Sequence, residues 1–435
     1  MTDRPLPPQF IDEAYQPAER TAPRPRADAQ KLTFWASLDK TTLFFTGLLL
    51  SIGVMMVFST TFDWSLQDYD NEVTITMMHV RNVLIGIVVM LLFARVEPQW
   101  FQRLSLLIMM SAVSFLIAVL LFGDDTFGAR RALIDGRFQP GEFAELATII
   151  YLAAWLGSKK TNVRSFTGGL LPFTVIVLVV ITLLLLQPDL SVAMTVFITA
   201  AAMFFLAGAD LRQIGVVIIA VLFTGLTMFP VLQNIAPYAT YRVESWVVGL
   251  GDLTQASYHT QQAAIAFSYG GWTGVGLGES QAKFRALPAP HTDSIFAVIG
   301  EELGVLGAGI LIALYVVLCI RGVQISQQAI NTYSMLLAIG VTVWVIIRAA
   351  LNIAVMTGLI PPTGLPLPFI SYGGSSLVVM MAGIGLLLGV HRQTLRHQNT
   401  TERRQTVANY DRSRRNRRAR LPRAGNRRSD EQTIS

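Results

Sequence analysis

An all-α membrane protein with about ten transmembrane helices is the fold class this sequence predicts, and three observations predict it. The composition is too apolar for a soluble globule: of 435 residues, 52% are hydrophobic and 14% are charged. Uncharged apolar runs near the ~20 residues that a helix needs to cross a bilayer recur along the chain. Lys and Arg concentrate in alternate connections between those runs, as they do in polytopic proteins.

The full-length runs are Thr41 to Phe62, Leu104 to Phe122, Ser165 to Pro188, Leu190 to Ala209, Gln213 to Tyr241, Leu303 to Ile320, Ala329 to Ile347 and Ser371 to Val390. Two shorter runs join them, Asn82 to Ala94 and Leu146 to Ser158. Each completes a span only if the neighbouring polar residues, His79 and Arg81 or Glu142 and Glu145, are drawn into the membrane. Arg20, Arg24, Arg26, Lys31 and Lys40 precede the first span, Arg95 and Arg103 follow the second, Lys159, Lys160 and Arg164 the fourth, Arg212 the sixth and Arg321 the eighth. Those connections are expected in the cytoplasm, with both termini. The connection after the first span carries Asp63, Asp68, Asp70 and Glu72 without Lys or Arg and is expected outside, as is the stretch Gly270 to Gly304.

Residues 1–40 hold Pro5, Pro7, Pro8, Pro17, Pro23 and Pro25 among charges and read as a disordered cytoplasmic tail without a cleavable signal peptide. Residues 41–392 form the transmembrane domain. Residues 393–435 are a basic cytoplasmic tail, in which Arg412, Arg414, Arg415, Arg417 and Arg418 suit anionic lipid headgroups better than nucleic acid. The single cysteine, Cys319, lies inside a span, and the five histidines show no metal-ligand spacing, so no disulfide, thiolate metal site or zinc centre is expected.

The chemistry gathers on the expected outer side. Asp293 lies in Pro-His-Thr-Asp-Ser just before the eighth span and is expected to face Glu301 and Glu302, about two turns along if the helix starts there. It is either a helix cap or a proton acceptor facing a cavity. Arg130 and Arg131 in Gly-Ala-Arg-Arg-Ala are adjacent cations, either headgroup anchors or a clamp on a phosphate. Glu142 and Glu145, spaced i,i+3, share a helical face and require a cation, for which Arg348 within the ninth span is the candidate. Asp189, after Gln187-Pro188, is expected to cap the sixth helix. A long connection between the seventh and eighth spans contains the amphipathic stretch Gln261 to Ser268 and the glycines 270, 271, 274, 276 and 278, which lack the GKS or GKT of a P-loop. Before the tenth span, the uncharged Gly358 to Leu377 is too rich in Pro and Gly for a helix. Irregular backbone at membrane depth belongs inside protein or along a cavity, so a re-entrant loop is expected there, walling the cavity that Asp293 faces.

The motifs GARRA through QPGEFAE, HTDSIFAVIGEELG and PPTGLPLPFISYGGSSL resemble those of the SEDS family of bacterial cell-wall polymerases, to which FtsW and RodA belong, and the likeness runs from about Thr41 to Arg392. GLGESQAK, Gly300 before the paired glutamates and the long tails are nearer to FtsW than to RodA. The resemblance implies about ten spans, no organic cofactor, and polymerisation of lipid II into glycan strands at the outer face of the cytoplasmic membrane, for septal wall synthesis. It implies as partners a class B penicillin-binding transpeptidase and other division proteins, with no nucleic acid. It makes Asp293 the catalytic acid. Three positions depart from the family pattern: Ala132 stands for a Trp, Glu145 for a Lys and Ser294 for a Phe. In the mechanism so implied, Asp293 takes the proton of the acceptor sugar's 4-hydroxyl. Arg130, Arg131, Arg242 and Lys283 are the exposed cations expected to hold pyrophosphate, with Glu142 and Arg348 lining the cavity and a divalent cation, Mg or Mn, sharing the charge. The rival readings are a flippase or transporter for the same lipid, and a non-catalytic division scaffold.

Overall fold

A computed structural model describes residues 33–419 except 127–128, 133–138, 160, 236 and 286. The chain divides into two compact units, residues 34–396 and the two ends, 1–33 with 397–435. The first unit is the helical bundle. In the second, the described backbone is Thr33 and the end of helix α13.

The bundle follows the order α1 (Lys40–Tyr69), α2 (Thr74–Arg95), α3 (Pro98–Phe122), the hairpin strands β1 (Asp124–Thr126) and β2 (Ala129–Ala132), then α4 (Pro140–Leu156), α5 (Leu171–Leu186), α6 (Leu190–Leu206) and α7 (Leu211–Ile235). It continues through α8 (Pro237–Gly249), α9 (Tyr258–Gly270), the short α10 (Ala282–Arg285), α11 (Ile295–Gln327), α12 (Thr332–Met356) and α13 (Ser375–Ala419). Among the described residues seven helices are long and apolar enough to cross a membrane: α1, α2, α3, α5 with the turn before it, α11, α12 and α13. The other three expected spans are α4 and α6, each 17 residues, and the first part of α7, Leu211–Thr227. At 1.5 Å per residue, 17 residues still cover about 26 Å.

The fold is therefore the expected all-α membrane fold, with two local differences. The stretch around the paired arginines forms an antiparallel hairpin that pairs Asp125 with Arg130. The span expected to reach Tyr241 stops earlier: α7 ends at Ile235 and Pro237 opens α8, as suits a proline in a first helical turn. The short run Asn82 to Ala94 becomes a full 22-residue helix because Thr74 to Arg81, His79 included, join it.

Burial sorts the helices. In α2, Leu84, Ile85, Val88 and Leu92 are exposed, as are Leu106, Leu107 and Met110 in α3, which leaves apolar surface for lipid. α4, α6 and α12 form the centre, with Ile149, Leu152, Val196, Met203, Leu337 and Trp344 buried.

Two irregular segments shape one end of the bundle, referred to here as the site end. In α11, Gly304 adopts φ 67° and breaks the helix. The freed carbonyls of Glu301 and Glu302 accept from Val275 and Gly276 N–H, while Val305 and Leu306 donate to Gly271 and Trp272 O, so the glycine-rich stretch is laced onto the break. A Cβ on Gly304 would lie 2.4 Å from Gly274 N, so no other residue fits. The second segment, residues 357–374, has no helix over most of its length and dips to mid-bundle, where a Cβ on Gly53 of α1 would lie 2.4 Å from Phe369 O. Its carbonyls are served by side chains from around it: Trp246 to Gly358 O, Ser191 to Thr363 O, Asn352 to Leu365 O and Tyr315 to Pro368 O. Those bonds satisfy carbonyls that no helix ladder serves, as irregular backbone within a helical bundle requires.

Candidate active site

Asp293 occupies the turn between α10 and α11 and is half-buried. Helix α11 takes Ser294 as its cap and receives no side-chain bond in its first turn, so the capping explanation for Asp293 does not apply. Its carboxylate accepts a bond from the Thr292 hydroxyl at 3.2 Å.

The backbone of this turn is pinned at three successive carbonyls. His291 O accepts from Tyr372 N–H at 2.8 Å, Thr292 O from the Ser371 hydroxyl, and Asp293 O from Asn352 Nδ2 at 2.8 Å. Asn352 spends its other amide hydrogen on Leu365 O at 2.6 Å. The buried Asn352 thus ties α12, the acid-bearing turn and the Pro/Gly segment into one piece. Asp293 keeps part of its surface accessible while its main chain is fixed, the arrangement that positioning a reactive group requires.

Gly364, at φ 74°, sits against the acid: a Cβ there would lie 3.6 Å from Asp293 Oδ2 and 3.9 Å from Arg242 Nη1. Arg242 of α8 therefore flanks the same glycine, and it donates from Nη1 to Pro362 O at 3.5 Å. A row of rings borders the turn, with Trp64 to His291 at 5.1 Å between centroids, His291 to Tyr372 at 5.7 Å and Tyr372 to His79 at 5.8 Å. Burial lowers the pKa of His291 below its ordinary value, against an opposing pull from the Asp293 charge.

The other expected site residues fall into distinct places. Arg130 and Arg131 have their backbone in β2, and their side chains lie outside the described residues. Lys283 is not exposed: it is 4% accessible, and its ammonium donates to Gly278 O at 2.7 Å, Ser59 Oγ at 3.0 Å and Glu302 Oε1 at 2.7 Å, which uses all three hydrogens. Burial of a lysine stem beside α1 and α11 made a cation that looked free in the sequence an internal one. Glu301 and Glu302 likewise do not face Asp293. Glu301 accepts from Gln281 N–H at 2.9 Å and from the Ser280 hydroxyl at 2.5 Å, and Glu302 is spent on Lys283.

Glu142, Glu145 and Arg348 are brought together, as their shared face and the lone cation suggested. Arg348 Nη2 donates to Glu142 Oε1 at 2.8 Å, and Nη1 to Glu142 Oε2 and, at 2.9 Å, to Glu145 Oε2. Trp344 Nε1 adds a bond to Glu145 at 2.8 Å, and the Thr195 hydroxyl another. All three charged groups are buried, one helical turn along α12 from Asn352, so their place is behind the acid-bearing turn. Asp189 caps α6 through Val192 N–H at 3.3 Å, as expected.

No group of three or more His, Cys, Asp or Glu side chains assembles as a metal site among the described residues. Among the described residues the expected divalent cation has no preformed cage of that kind.

Sequence reasoning missed Asn352, Ser371, His259 and the ring row. Asn352 is 59 residues from Asp293, and no local pattern announces such a pairing.

Comparison with known proteins agrees with the geometry. A family model described as Cell cycle protein, covering FtsW, RodA and SpoVE, matches residues 40–396. Stage V sporulation protein E of Bacillus subtilis is 36% identical over 360 residues, 82% of this chain and 97% of that protein. The probable peptidoglycan glycosyltransferase FtsW of Legionella pneumophila is 35% identical, over 79% of this chain and 88% of that one. Among solved structures, a chain from a peptidoglycan synthase complex that coordinates polymerisation and crosslinking superposes with a TM-score of 0.67 at 26% identity, covering 83% of this chain and 99% of that one. The rod shape determining protein RodA of Thermus thermophilus gives 0.61 at 25% identity, with the same coverage.

Proposed function

The chain belongs to the FtsW, RodA and SpoVE family of cell cycle proteins, and from that premise we propose how its site works. It is a multi-pass membrane peptidoglycan glycosyltransferase. Its substrate in this reading is lipid II, a disaccharide-peptide on polyprenyl pyrophosphate, and its partner a class B penicillin-binding transpeptidase.

The site end faces outward. The acidic Asp63, Asp68, Asp70 and Glu72 cluster around the α1–α2 connection there, whereas Lys40, Arg95, Arg103, Arg164, Arg212 and Arg321 mark the opposite helix ends, and Lys and Arg accumulate on the cytoplasmic side. Both termini are then cytoplasmic. The likeness to FtsW proteins supports work at the division septum, alongside other division proteins.

The observation that carries the mechanism is the fixed turn around Asp293. The three pinned carbonyls hold the half-buried Asp293 beside Gly364 of the irregular segment. Asp293 accepts the proton of the acceptor's 4-hydroxyl as that oxygen attacks the donor's anomeric carbon. The new glycosidic C–O bond forms while the bond to pyrophosphate breaks, and the anomeric centre inverts. Developing negative charge on the departing pyrophosphate calls for cations. Arg242 is the described one beside the acid; Arg130 and Arg131 are retained as candidates on sequence grounds alone.

Replacing a general base removes about 10²–10⁴ in rate. Purified Asp293→Asn protein, folded by circular dichroism, is expected to polymerise lipid II at no more than about 1% of the parent rate. Parent-like polymerisation would remove the base assignment. The same preparations in liposomes, scored for lipid translocation, separate the flippase reading.

A further inference from the structure

The acid-bearing turn is also held from a side that the reaction above does not use. His259 of α9 places Nε2 2.7 Å from Ser294 Oγ, and Ser294 Oγ lies 2.6 Å from Pro288 O. A hydroxyl has one hydrogen, and a proline carbonyl can only accept. The serine hydrogen therefore goes to Pro288 O, and His259 must donate from Nε2. This assigns the neutral tautomer, with the hydrogen on Nε2 and Nδ1 left as the basic nitrogen. The relay His259 to Ser294 to Pro288 closes the turn across its base, spanning Ala289, which holds a left-handed φ of 47°, and ending at the residue after Asp293.

The charges acting on the ring are Asp293, ahead of α11, and Arg242, on α8. Among the described side chains, two other elements packed on α9 bring no free charge: Arg348 of α12 is committed to Glu142 and Glu145, and Lys283 of α10 to Glu302. Burial depresses the basicity of His259 below its ordinary value, Asp293 opposes that, and Arg242 adds to it. The ring is accordingly neutral at neutral pH and gains a second proton only in acid.

We propose that His259 is a positioning residue for Asp293: its Nε2–H holds the turn through Ser294, and proton uptake at Nδ1 in acidic surroundings places a cation beside the base and slows polymerisation. A neighbouring cation favours the ionised carboxylate and so weakens it as a proton acceptor. The proposal rests on Asp293 being the base. Because the site end faces outward, the proton comes from outside the cell, and the enzyme's rate follows external pH.

The test is a pH profile of kcat and KM for lipid II polymerisation by the full-length protein in detergent or liposomes. His259→Ala and Ser294→Ala each break the relay and are expected to lower kcat about tenfold with KM unchanged. In His259→Gln the side-chain amide still donates to Ser294 but cannot ionise. It is expected to recover most of the kcat lost in His259→Ala and to move the midpoint of the acid limb downward by at least about half a pH unit, toward that of a carboxylate alone. Parent-like kcat in both alanine variants, or an acid limb in His259→Gln that traces the parent's, overturns the proposal. An Asp293→Asn enzyme that still polymerises overturns the base assignment instead, so the two failures are distinct.

Discussion

Arg348→Met is the substitution that best separates scaffold from substrate contact at this site. The guanidinium makes three bonds to two carboxylates, all buried, and nothing else described bonds either oxygen of Glu142. Removing it leaves two carboxylates on one helical face without a counter-charge. Glu145 keeps its bonds from Trp344 and Thr195, whereas Glu142 loses both of its own. Breaking a buried pair on one side costs about 3–5 kcal/mol, because the remaining charge stays desolvated. At about 1.4 kcal/mol per tenfold, the folded population should fall by roughly 10² to 4 × 10³ relative to unfolded. Replacing all three charges, Arg348→Met with Glu142→Gln and Glu145→Gln, removes the uncompensated charge and should restore stability to within about 1 kcal/mol of the parent. Equilibrium unfolding in mixed micelles, followed by circular dichroism, measures both. A single variant as stable as the parent, or a triple variant as unstable as the single, would refute the reasoning. Polymerisation by the triple variant then settles its role: activity within about tenfold of the parent marks a scaffold behind the acid, and a folded but inactive protein marks charges that meet substrate.

Asn352→Ala removes two bonds in a buried setting, so kcat should drop about a hundredfold with KM little changed, as expected when a reactive group shifts by an ångström; kcat within about threefold of the parent's would detach the clamp from catalysis. Gly304→Ala drives a methyl into Gly274 N and should abolish the yield of monodisperse protein, while Gly309→Ala, where nothing lies within 4 Å, should leave it unchanged; size-exclusion chromatography reads both. At the opposite end, burial raises the pKa of Asp39, but bonds from Arg321 and Thr42 outweigh it and hold the carboxyl below its ordinary range. A depressed acid contributes stability above its unfolded pKa and loses it as pH falls through the folded one. The parent should therefore keep this contribution down to about pH 4 and lose it below, and Arg321→Met, which leaves burial less opposed, should have a smaller contribution and a smaller loss in acid, as melting curves across acidic buffers would show.

Much of this molecule was legible without coordinates, and for identifiable reasons. Lipid demands long apolar helices, so spans appear as runs of residues, and the two short runs correctly required that Glu142, Glu145 and His79 enter the bundle. Two carboxylates at i,i+3 in such a helix demand a cation, and the ninth span held a single arginine to supply it. Four prolines around repeated glycines forbid a helix, and depth then requires buried, bonded backbone. Each of these inferences rests on a rule that acts within a few residues.

What the tertiary structure alone decided are matters of partnership between distant segments. Lys283 looked like a free cation, and only the approach of α1 and α11 turned it inward, because a long flexible stem reaches whichever acid lies near. Asp293 looked equally like a helix cap, and only the clamp of Asn352, Ser371 and Tyr372 showed that its backbone is held while its carboxylate is left unspent on the helix. Hydrogen bonds are directional and short in reach, so a sequence can name which groups need a partner, but only the packed chain chooses which partner each one meets.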